Sequence, residues 1–298
     1  MDYLQAIFPV AGIKTYVFIP PVVAFVISFF TSMAGISGAF LLLPFQMSVL
    51  GFTTTSVTST NFLFNVTGTP GGVYRYIKEC RFAWPVALII VAGIIPGVLV
   101  GYYIRILYLP DPRVFKLFVG VVLLLLSLKL FKDMWMGRSS QDDSRCQLSG
   151  GVENVAIGWT TGRFDFKGET HSFSTAGLLA LSSVVGIVGG IYGIGGGSII
   201  APFLITVFQL PVYAVAGAVL LGTFVSSAAG VIFYSMVPVN GAVAAPDWLL
   251  GILFGTGGLF GMYLGARVQK YTSEKWIKFI LGAVVFIVAT KYFLIFVK

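Results

Sequence analysis

The chain has 298 residues, of which 57% are hydrophobic and only 10% charged, and its formal net charge is +8. In an average soluble domain about a quarter of the residues are charged, so this composition excludes a soluble globular protein and indicates an integral membrane protein. The basic residues lie in short links between apolar runs and form no continuous stripe, which argues against nucleic acid as a partner.

Apolar runs follow one another along the chain, after an N-terminus (MDYLQAIFPVAGIK) whose lack of a basic n-region predicts no cleaved signal peptide. Runs long enough to cross a bilayer, which takes about 20 residues, lie near 54–77, 83–104, 114–133, 174–192, 212–236, 246–267 and 275–297. Two segments, 17–50 and 174–209, are interrupted by glycines at 35–38 and 193–197. The pieces after each interruption are too short to span at about 1.5 Å per residue, so we expect half-helices or re-entrant hairpins.

The two interruptions are related in sequence. GISGAFLLLPF at 35–45 aligns without gaps on GIGGGSIIAPF at 193–203. Two later pairs match in the same order, GVLVGYY at 97–103 with GMYLGAR at 261–267, and VFKLFVG at 114–120 with WIKFILG at 276–282. We interpret the chain as a duplication. Its predicted parts are a first transmembrane repeat (1–136), a link (137–173) and a second transmembrane repeat (174–298).

The distribution of Lys and Arg predicts how the two repeats are oriented. If each interrupted segment enters and returns, or crosses twice, the first repeat makes a net three crossings and the second starts on the opposite side. Six of the 19 basic residues then lie on one side, namely Lys14, Arg105, Arg113, Lys116, Lys291 and Lys298. The side with all the others is cytoplasmic by the positive-inside rule. This predicts inverted repeats, external termini and a cytoplasmic link, in which VAIGWTTGRFDFKGE forms either a small hairpin or a solvated linker.

The duplicated breaks point to a binding site, because broken helices survive in hydrocarbon only where protein buries them or where they line a cavity. N–H groups at a half-helix N-terminus favour an anion, and glycine lets a ligand approach the backbone. We therefore predict an anion site where the breaks face each other. Its backbone part is Gly35, Ser37, Gly38, Gly193, Gly195, Gly196, Gly197 and Ser198. The alternative is tight packing of small residues, which we predict for the glycines at 97, 101, 261 and 265.

The run after the first break, FTTTSVTSTNFLFNVTGTPGG at 52–72, is rich in polar residues. Lipid exposure of so many polar groups is costly, so several are expected to face the protein interior. Others are expected to be hydroxyls that bond back to the carbonyl four residues earlier. The predicted side-chain part of the site is Thr58, Asn61, Asn65, Thr223 and Ser226. Val219 stands at the position equivalent to Asn61, which predicts a pocket that is polar mainly on one wall.

The sequence contains no recognisable catalytic set. All 11 acidic residues fall in links or near the ends of runs, and the one histidine, His171, lies in the link. This disfavours both a mid-membrane carboxylate relay and an enzyme. GIGGGS lacks the preceding strand and the following acid of a dinucleotide fingerprint, and no Cys or His pair has metal-ligand spacing. We predict neither a cofactor nor a metal site.

GIYGIGGGSIIAPF at 190–203, its partner at 35–45, the Thr/Ser-rich run and the duplicated layout resemble the TauE/SafE family of sulfite and organosulfur anion permeases. The resemblance covers nearly the whole chain outside 137–173. It implies movement of sulfite, sulfonates such as sulfoacetate, or other small organic anions across a bacterial cytoplasmic membrane, mainly outward. The family's motif positions correspond to Gly35, Ser37, Gly38, Gly193, Gly195, Gly196 and Gly197. Ala39 and Phe40 stand where the second copy has Gly197 and Ser198.

We therefore expect an all-α membrane protein of two inverted repeats, whose broken or re-entrant helices meet at the midplane. The expected function is a secondary transporter that exports a small anion, such as sulfite or a sulfonate, by alternating access. The alternative is an anion channel, or an uptake permease for a small carboxylate or sulfur compound. The expected partners are a small anionic substrate and the lipid bilayer, with no nucleic acid. We expect a monomer or a homodimer in the bacterial inner membrane.

Overall fold

The computed structural model describes residues 5–33, 36–78, 83–135, 153–158, 161–166, 169–208, 210, 212–239, 241, 243–268 and 274–297. These residues are mainly helical, which confirms the prediction of an all-α membrane protein apart from two small sheets. The helices are α1 (Ile19–Met33), α2 (Ala39–Ser48), α3 (Ser56–Gly68), α4 (Pro70–Lys78), α5 (Trp84–Leu107), α6 (Pro112–Trp135), α7 (Thr175–Tyr192), α8 (Gly197–Thr206), α9 (Val212–Met236), α10 (Trp248–Val268) and α11 (Glu274–Val297).

Each predicted interruption separates a longer helix from a short one. The first lies between α1 and α2, and the second lies between α7 and α8. α2 and α8 have 10 residues each, which at about 1.5 Å per residue covers roughly half of the hydrocarbon core. The prediction of half-helices is therefore confirmed.

Glycines spaced four residues apart let α5 lie directly against α7. A Cβ atom on Gly97 or Gly101 would overlap the carbonyl oxygen of Ser183 or Ile187, respectively. Because the contacting residue numbers rise together along both helices, α5 and α7 are parallel. The predicted small-residue packing is confirmed at this pair.

The same packing recurs between α10 and α1. A Cβ atom on Gly261 or Gly265 would overlap the carbonyl oxygen of Phe25 or Phe29, respectively. α10 and α1 are therefore also parallel, and the prediction holds for this second pair of glycines. Each repeat thus contributes one glycine-bearing helix that packs on the other repeat's first helix.

Two further helix pairs run antiparallel. Phe62 of α3 lies against Gly230 of α9, whereas Gly72 of α4 lies against Leu220, near the other end of α9. In α6 and α11, Gly120 lies against Tyr292, and Phe131 lies against Gly282. Contacting residue numbers rise from α3 to α4 while they fall along α9, and they rise along α6 while they fall along α11.

One small sheet precedes α1, and a second lies between α6 and α7. β1 (Gln5–Phe8) and β2 (Ile13–Tyr16) form an antiparallel hairpin before α1. β3 (Glu153–Ile157), β4 (Thr161–Phe166) and β5 (Glu169–Ser174) form a three-stranded antiparallel sheet that leads into α7. The hairpin alternative for the link is therefore the correct one.

Among the described residues, four helices are long and apolar enough to cross a membrane, and they lie at Trp84–Leu107, Thr175–Tyr192, Gly217–Met236 and Trp248–Gly265. Large apolar side chains on the outside of the bundle, such as Leu125 at 63% exposure and Ile287 at 66%, suit a lipid environment. The run at 54–77 is not one helix, because α3 ends at Gly68 and α4 begins at Pro70. Proline lacks the N–H that would continue α3 and is favoured in a first helical turn.

Candidate functional site

The second break is a tight turn that sends the chain back along α7. Gly193 and Gly196 have φ angles of 85° and 67°, a left-handed conformation that glycine adopts at no steric cost. Gly196 lies beside Gly189 of α7, and Phe208, just after α8, lies beside Gly177 near the start of α7. α8 therefore runs antiparallel to α7, and the break is the tip of a re-entrant hairpin.

The two breaks meet at the side chain of Asn61, in the middle of α3. Its Nδ2 atom donates to the carbonyl oxygens of Ala39, at the start of α2, and Gly193, each at 3.0 Å. Gln46 Nε2 donates to Asn61 Oδ1 at 3.3 Å. One completely buried amide thus satisfies backbone acceptors of both breaks, and both of its donor hydrogens are used.

Two more side chains join the breaks to their surroundings. The Tyr192 hydroxyl, at the end of α7, donates to the carbonyl oxygen of Phe40 in α2 at 2.7 Å. Thr58 Oγ1 donates to the carbonyl oxygen of Ile191 at 3.4 Å. These bonds supplement Asn61, so the contact between the two breaks does not depend on one residue.

Asn65 lies one helical turn after Asn61 and supports the first break. Its Oδ1 accepts a hydrogen bond from Ser37 Oγ at 3.2 Å, whereas its buried Nδ2 has no hydrogen-bond partner within the described ranges. Thr58, Asn61 and Asn65 are spaced three and four residues apart, so α3 presents all three on one face toward the breaks.

The second break is supported from the other side by α9. Ser226 Oγ donates to the carbonyl oxygen of Gly195 at 2.6 Å. Thr223 Oγ1 bonds back to the carbonyl oxygen of Val219 at 3.0 Å, as predicted for some of the membrane hydroxyls. A Cβ atom on Gly197 would overlap the Thr223 hydroxyl.

The glycines of the breaks are closely packed by neighbouring helices. A Cβ atom on Gly193 would stand 2.5 Å from the carbonyl oxygen of Thr58, and one on Gly195 would stand 2.5 Å from Ser227 Oγ. One on Gly38 would stand 2.9 Å from Ser28 Oγ. Tight packing, the alternative to anion binding, therefore applies to these glycines. Anion binding by their backbone N–H groups stays a prediction.

Two predicted site positions lie partly or wholly outside the described residues. Gly35 is not described, and for Ser198 only the backbone, in the first turn of α8, is described. The predictions for the Gly35 backbone and the Ser198 hydroxyl therefore rest on the sequence alone.

Arg105 lies next to this site and was not predicted as part of it. The sequence placed it among the basic residues that flank the membrane, whereas the structure buries it completely. Its Nε donates to Thr58 Oγ1 at 3.3 Å, and its guanidinium carbon lies 3.7 Å from the centre of the Phe115 ring. A sequence signal did exist, because a lone charge in the apolar run VGYYIRILYLP is expensive unless it faces the protein interior.

Four buried atoms around the breaks can donate a hydrogen bond and have no partner among the described residues. They are Ser28 Oγ, Asn65 Nδ2, Arg105 Nη2 and Ser227 Oγ. Buried donors are usually paired, and an unpaired one costs about 1–3 kcal/mol. Such donors suit an anion or another acceptor that binds between the helices.

One known protein family matches a region of the chain that contains both breaks and Arg105. The sequence profile of the family described as "Sulfite exporter TauE/SafE" matches residues 21–292. The chain belongs to the TauE/SafE family. It is also similar to a protein from Bacillus subtilis (strain 168) described as "Probable membrane transporter protein YunE", with 26% identity over 215 residues, which cover 72% of this chain and 71% of the relative. No solved structure matches the chain significantly.

Membership of the TauE/SafE family makes the chain a multi-pass membrane transporter. The family match starts in α1 and ends in α11, so it includes all the helices that form the site. The polar centre at Asn61 therefore lies inside the part of the chain that is homologous to other TauE/SafE transporters.

Proposed function

We propose that this TauE/SafE protein is a secondary transporter that exports a small anion, such as sulfite or a sulfonate, by alternating access. The observation that carries the proposal is that one amide, Asn61, bonds to both helix breaks. In secondary transporters, substrates bind where discontinuous helices of two repeats come together. The unpaired buried donors nearby suit an anionic substrate better than a cation.

We infer that the two repeats are inverted in the membrane. In an inverted duplication, helices at equivalent positions of the two halves run antiparallel when they meet. α3 and α9 are equivalent in sequence, as are α6 and α11, and the antiparallel packing of both pairs supports the inference. The pairs α5–α7 and α10–α1 repeat one contact with the halves exchanged, as expected for two halves related by a two-fold axis.

The proposed substrate contacts are the residues predicted from the sequence, with roles refined by their surroundings. Asn65 Nδ2, unpaired among the described residues, would offer a donor from the first repeat, and the Ser198 hydroxyl would offer one from the second. The hydroxyls of Thr58, Ser37, Thr223 and Ser226 already donate to protein oxygens and would contact the anion only by exchanging those bonds. Backbone N–H groups at Gly35, Gly38, Gly195 and Gly196 would approach the anion, whereas those of Gly193 and Gly197 already donate to the carbonyl oxygens of Gly189 and Gly195. Asn61 would hold the two breaks together, because both of its donors already bond to protein.

The proposed direction follows from the membrane potential of a bacterial cytoplasmic membrane. An inside-negative potential contributes about 2.3 kcal/mol per charge per 100 mV, which favours exit of an uncompensated anion. Export of this kind needs no proton relay. The sequence agrees with export of this kind, because its 11 acidic residues fall in links or near the ends of apolar runs.

The experiment that tests the proposal measures flux in proteoliposomes that contain the purified full-length protein. Radiolabelled sulfite, thiosulfate, sulfoacetate, taurine and lactate would be compared, with protein-free liposomes as the control. We expect saturable flux and counterflow for at least one sulfur oxyanion. Flux that does not saturate and shows no counterflow would support the channel alternative, and no flux of any of the anions would refute the proposal.

A matched pair of variants tests the site itself. Asn65→Ala removes an unpaired buried donor, whereas Ser172→Ala changes an exposed side chain in β5. Loss of one neutral hydrogen bond of about 1 kcal/mol should weaken sulfite affinity roughly fivefold for Asn65→Ala only. Equal affinity in both variants would remove Asn65 from the proposed site.

A further inference from the structure

Arg105 is the one positively charged side chain that is fully buried among the described residues. It lies near the end of α5, and the Phe115 ring covers one face of its guanidinium, 3.7 Å from the guanidinium carbon. Such a contact is a cation–π interaction, which stabilises a cation without neutralising it. The side chain therefore carries its charge in an apolar part of the bundle.

The hydrogen bonds of Arg105 do not neutralise the charge either. Nε donates to Thr58 Oγ1 at 3.3 Å, and Nη1 donates to the carbonyl oxygen of Leu109. Nη2 is buried and has no partner. Since a guanidinium has five N–H donors, most of its binding capacity is unused within the described part of the chain.

No described carboxylate compensates for this charge. The other buried charged side chain in the described residues is Asp247, whose two oxygens accept from the backbone N–H groups of Ala11 and Leu250. An isolated buried charge costs several kcal/mol, and proteins normally pair it. Within the described part of the chain no group pairs with the Arg105 charge, so an anion from outside the protein would serve as its counter-ion.

Arg105 is joined to the second helix break through a single side chain. Thr58 Oγ1, which accepts from Arg105, also donates to the carbonyl oxygen of Ile191 in the last turn of α7. One turn earlier on α5, the Tyr102 ring packs on Tyr234 with centroids 4.7 Å apart, and the Tyr234 hydroxyl donates to the carbonyl oxygen of Gly190. The guanidinium is therefore held rigidly beside the re-entrant tip.

We propose that Arg105 binds the negative charge of the transported anion, and that its preferred ligand is an oxyanion such as sulfite, a sulfonate or a carboxylate. This inference rests on the proposed anion transport. The planar fork of a guanidinium matches two oxygens of one oxyanion and discriminates against a spherical halide. Because Arg105 has no exposed surface in this conformation, the anion enters in another state of the transport cycle.

With Arg105 as the anion ligand, the positive charge of the proposed pocket lies on one wall only. Arg105 lies in the first repeat, and the described residues of the second repeat place no buried cation at an equivalent point. The same side holds Thr58 and Asn61, whereas α9 has Val219 opposite Asn61 in sequence. The wall formed by the first repeat therefore supplies both the charge and the amide donors.

The test measures sulfite binding by the full-length protein in detergent, from the rise of its thermal unfolding midpoint with sulfite concentration. Arg105→Gln removes the buried charge, and Arg105→Lys keeps the charge without the fork. Arg113→Gln is the matched control, because Arg113 is an exposed cation at the start of α6. Chloride serves as the spherical anion in a parallel titration.

A hydrogen bond to a charged group stabilises a complex more than a neutral one does, so Arg105→Gln should raise the sulfite Kd about 10- to 100-fold. Arg113→Gln should leave the Kd within about twofold, since exposed charges interact weakly. Arg105→Lys should bind sulfite with intermediate affinity and lose most of the preference for sulfite over chloride. If Arg105 were only structural, Arg105→Gln would lower the midpoint without sulfite and keep the full sulfite-dependent rise, which would overturn the inference.

The outcomes separate this inference from the proposed function. If the parent protein binds and transports sulfite and Arg105→Gln binds it equally well, only the assignment of Arg105 fails. If the parent neither binds nor transports any of the anions, both proposals fail. If Arg105→Gln does not fold, Arg105→Lys decides, because an unchanged sulfite Kd together with unchanged selectivity over chloride would overturn the inference.

Discussion

The Nδ2 atom of Asn61 lies 3.0 Å from the carbonyl oxygen of Gly193, a residue 132 positions later in the chain. The same atom lies 3.0 Å from the carbonyl oxygen of Ala39. A single amide from α3 therefore bonds to one backbone carbonyl oxygen at each helix break.

Asn61→Ala should destabilise the protein strongly. The change removes the donor to two buried carbonyl oxygens and the acceptor of Gln46 Nε2, and a buried group left unsatisfied costs about 1–3 kcal/mol. We expect the free energy of unfolding to fall by roughly 2–4 kcal/mol, measured by denaturation in detergent. Thr290→Ala is the control, since its exposed hydroxyl bonds only within α11, and equal stability of the two variants would contradict the role of Asn61.

Gly101→Ala and Gly265→Ala should be destabilising to a similar degree. In each, the new methyl group would overlap a backbone carbonyl oxygen of the facing helix, and overpacking of this kind costs about 1–3 kcal/mol. The measurement is the thermal midpoint of the purified variants. Gly71→Ala in α4 should be neutral or gain about 0.5–1 kcal/mol, because nothing lies within 4 Å of its Cβ position. If Gly101→Ala left the thermal midpoint unchanged, α5 and α7 could move apart without loss of stability.

Gly196→Ala should reduce anion binding as well as stability. Gly196 and Gly12 have nearly the same φ angles, 67° and 68°, and a non-glycine residue in this region costs about 1–2 kcal/mol. Gly12 lies in the β1–β2 turn with open space around it, so Gly12→Ala controls for the backbone cost alone. Sulfite at 100 times its Kd should stabilise the parent by about 2.7 kcal/mol, and we expect Gly196→Ala to lose most of this gain. Full sulfite stabilisation of Gly196→Ala would assign the glycine to packing only.

Single cysteines should show opposite sidedness at two exposed positions. Ser172 lies in β5, just before α7, and Asp111 lies between α5 and α6. In a chain that carries Cys80→Ser and Cys146→Ser, a membrane-impermeant maleimide should label Ser172→Cys only from the cytoplasm and Asp111→Cys only from outside. Labelling of both from the same side would contradict the inverted arrangement.

The membrane class, the two helix breaks and the glycine packing could be predicted from the sequence, because each depends on local composition or spacing. A run of apolar residues specifies a span, glycines at 193–197 end a helix, and glycines four apart form a smooth face wherever they occur. The proposed duplication rests on the same kind of local signal, since GISGAFLLLPF and GIGGGSIIAPF align without gaps. The same local signals misjudged the run at 54–77, where Pro70 begins a new helix.

The tertiary structure alone decided which polar residues meet. Asn61 and Gln46 are ordinary polar residues in their own helices, and only the packing of α2, α3 and the second break brings them together. Arg105 looked like a basic residue at the end of a span, yet Thr58 and Phe115, 47 positions before it and ten after, enclose its guanidinium. Helix periodicity specifies which face a side chain occupies, but the partner on that face depends on contacts between distant segments. Sequence therefore determined the architecture, and long-range packing determined the polar centre.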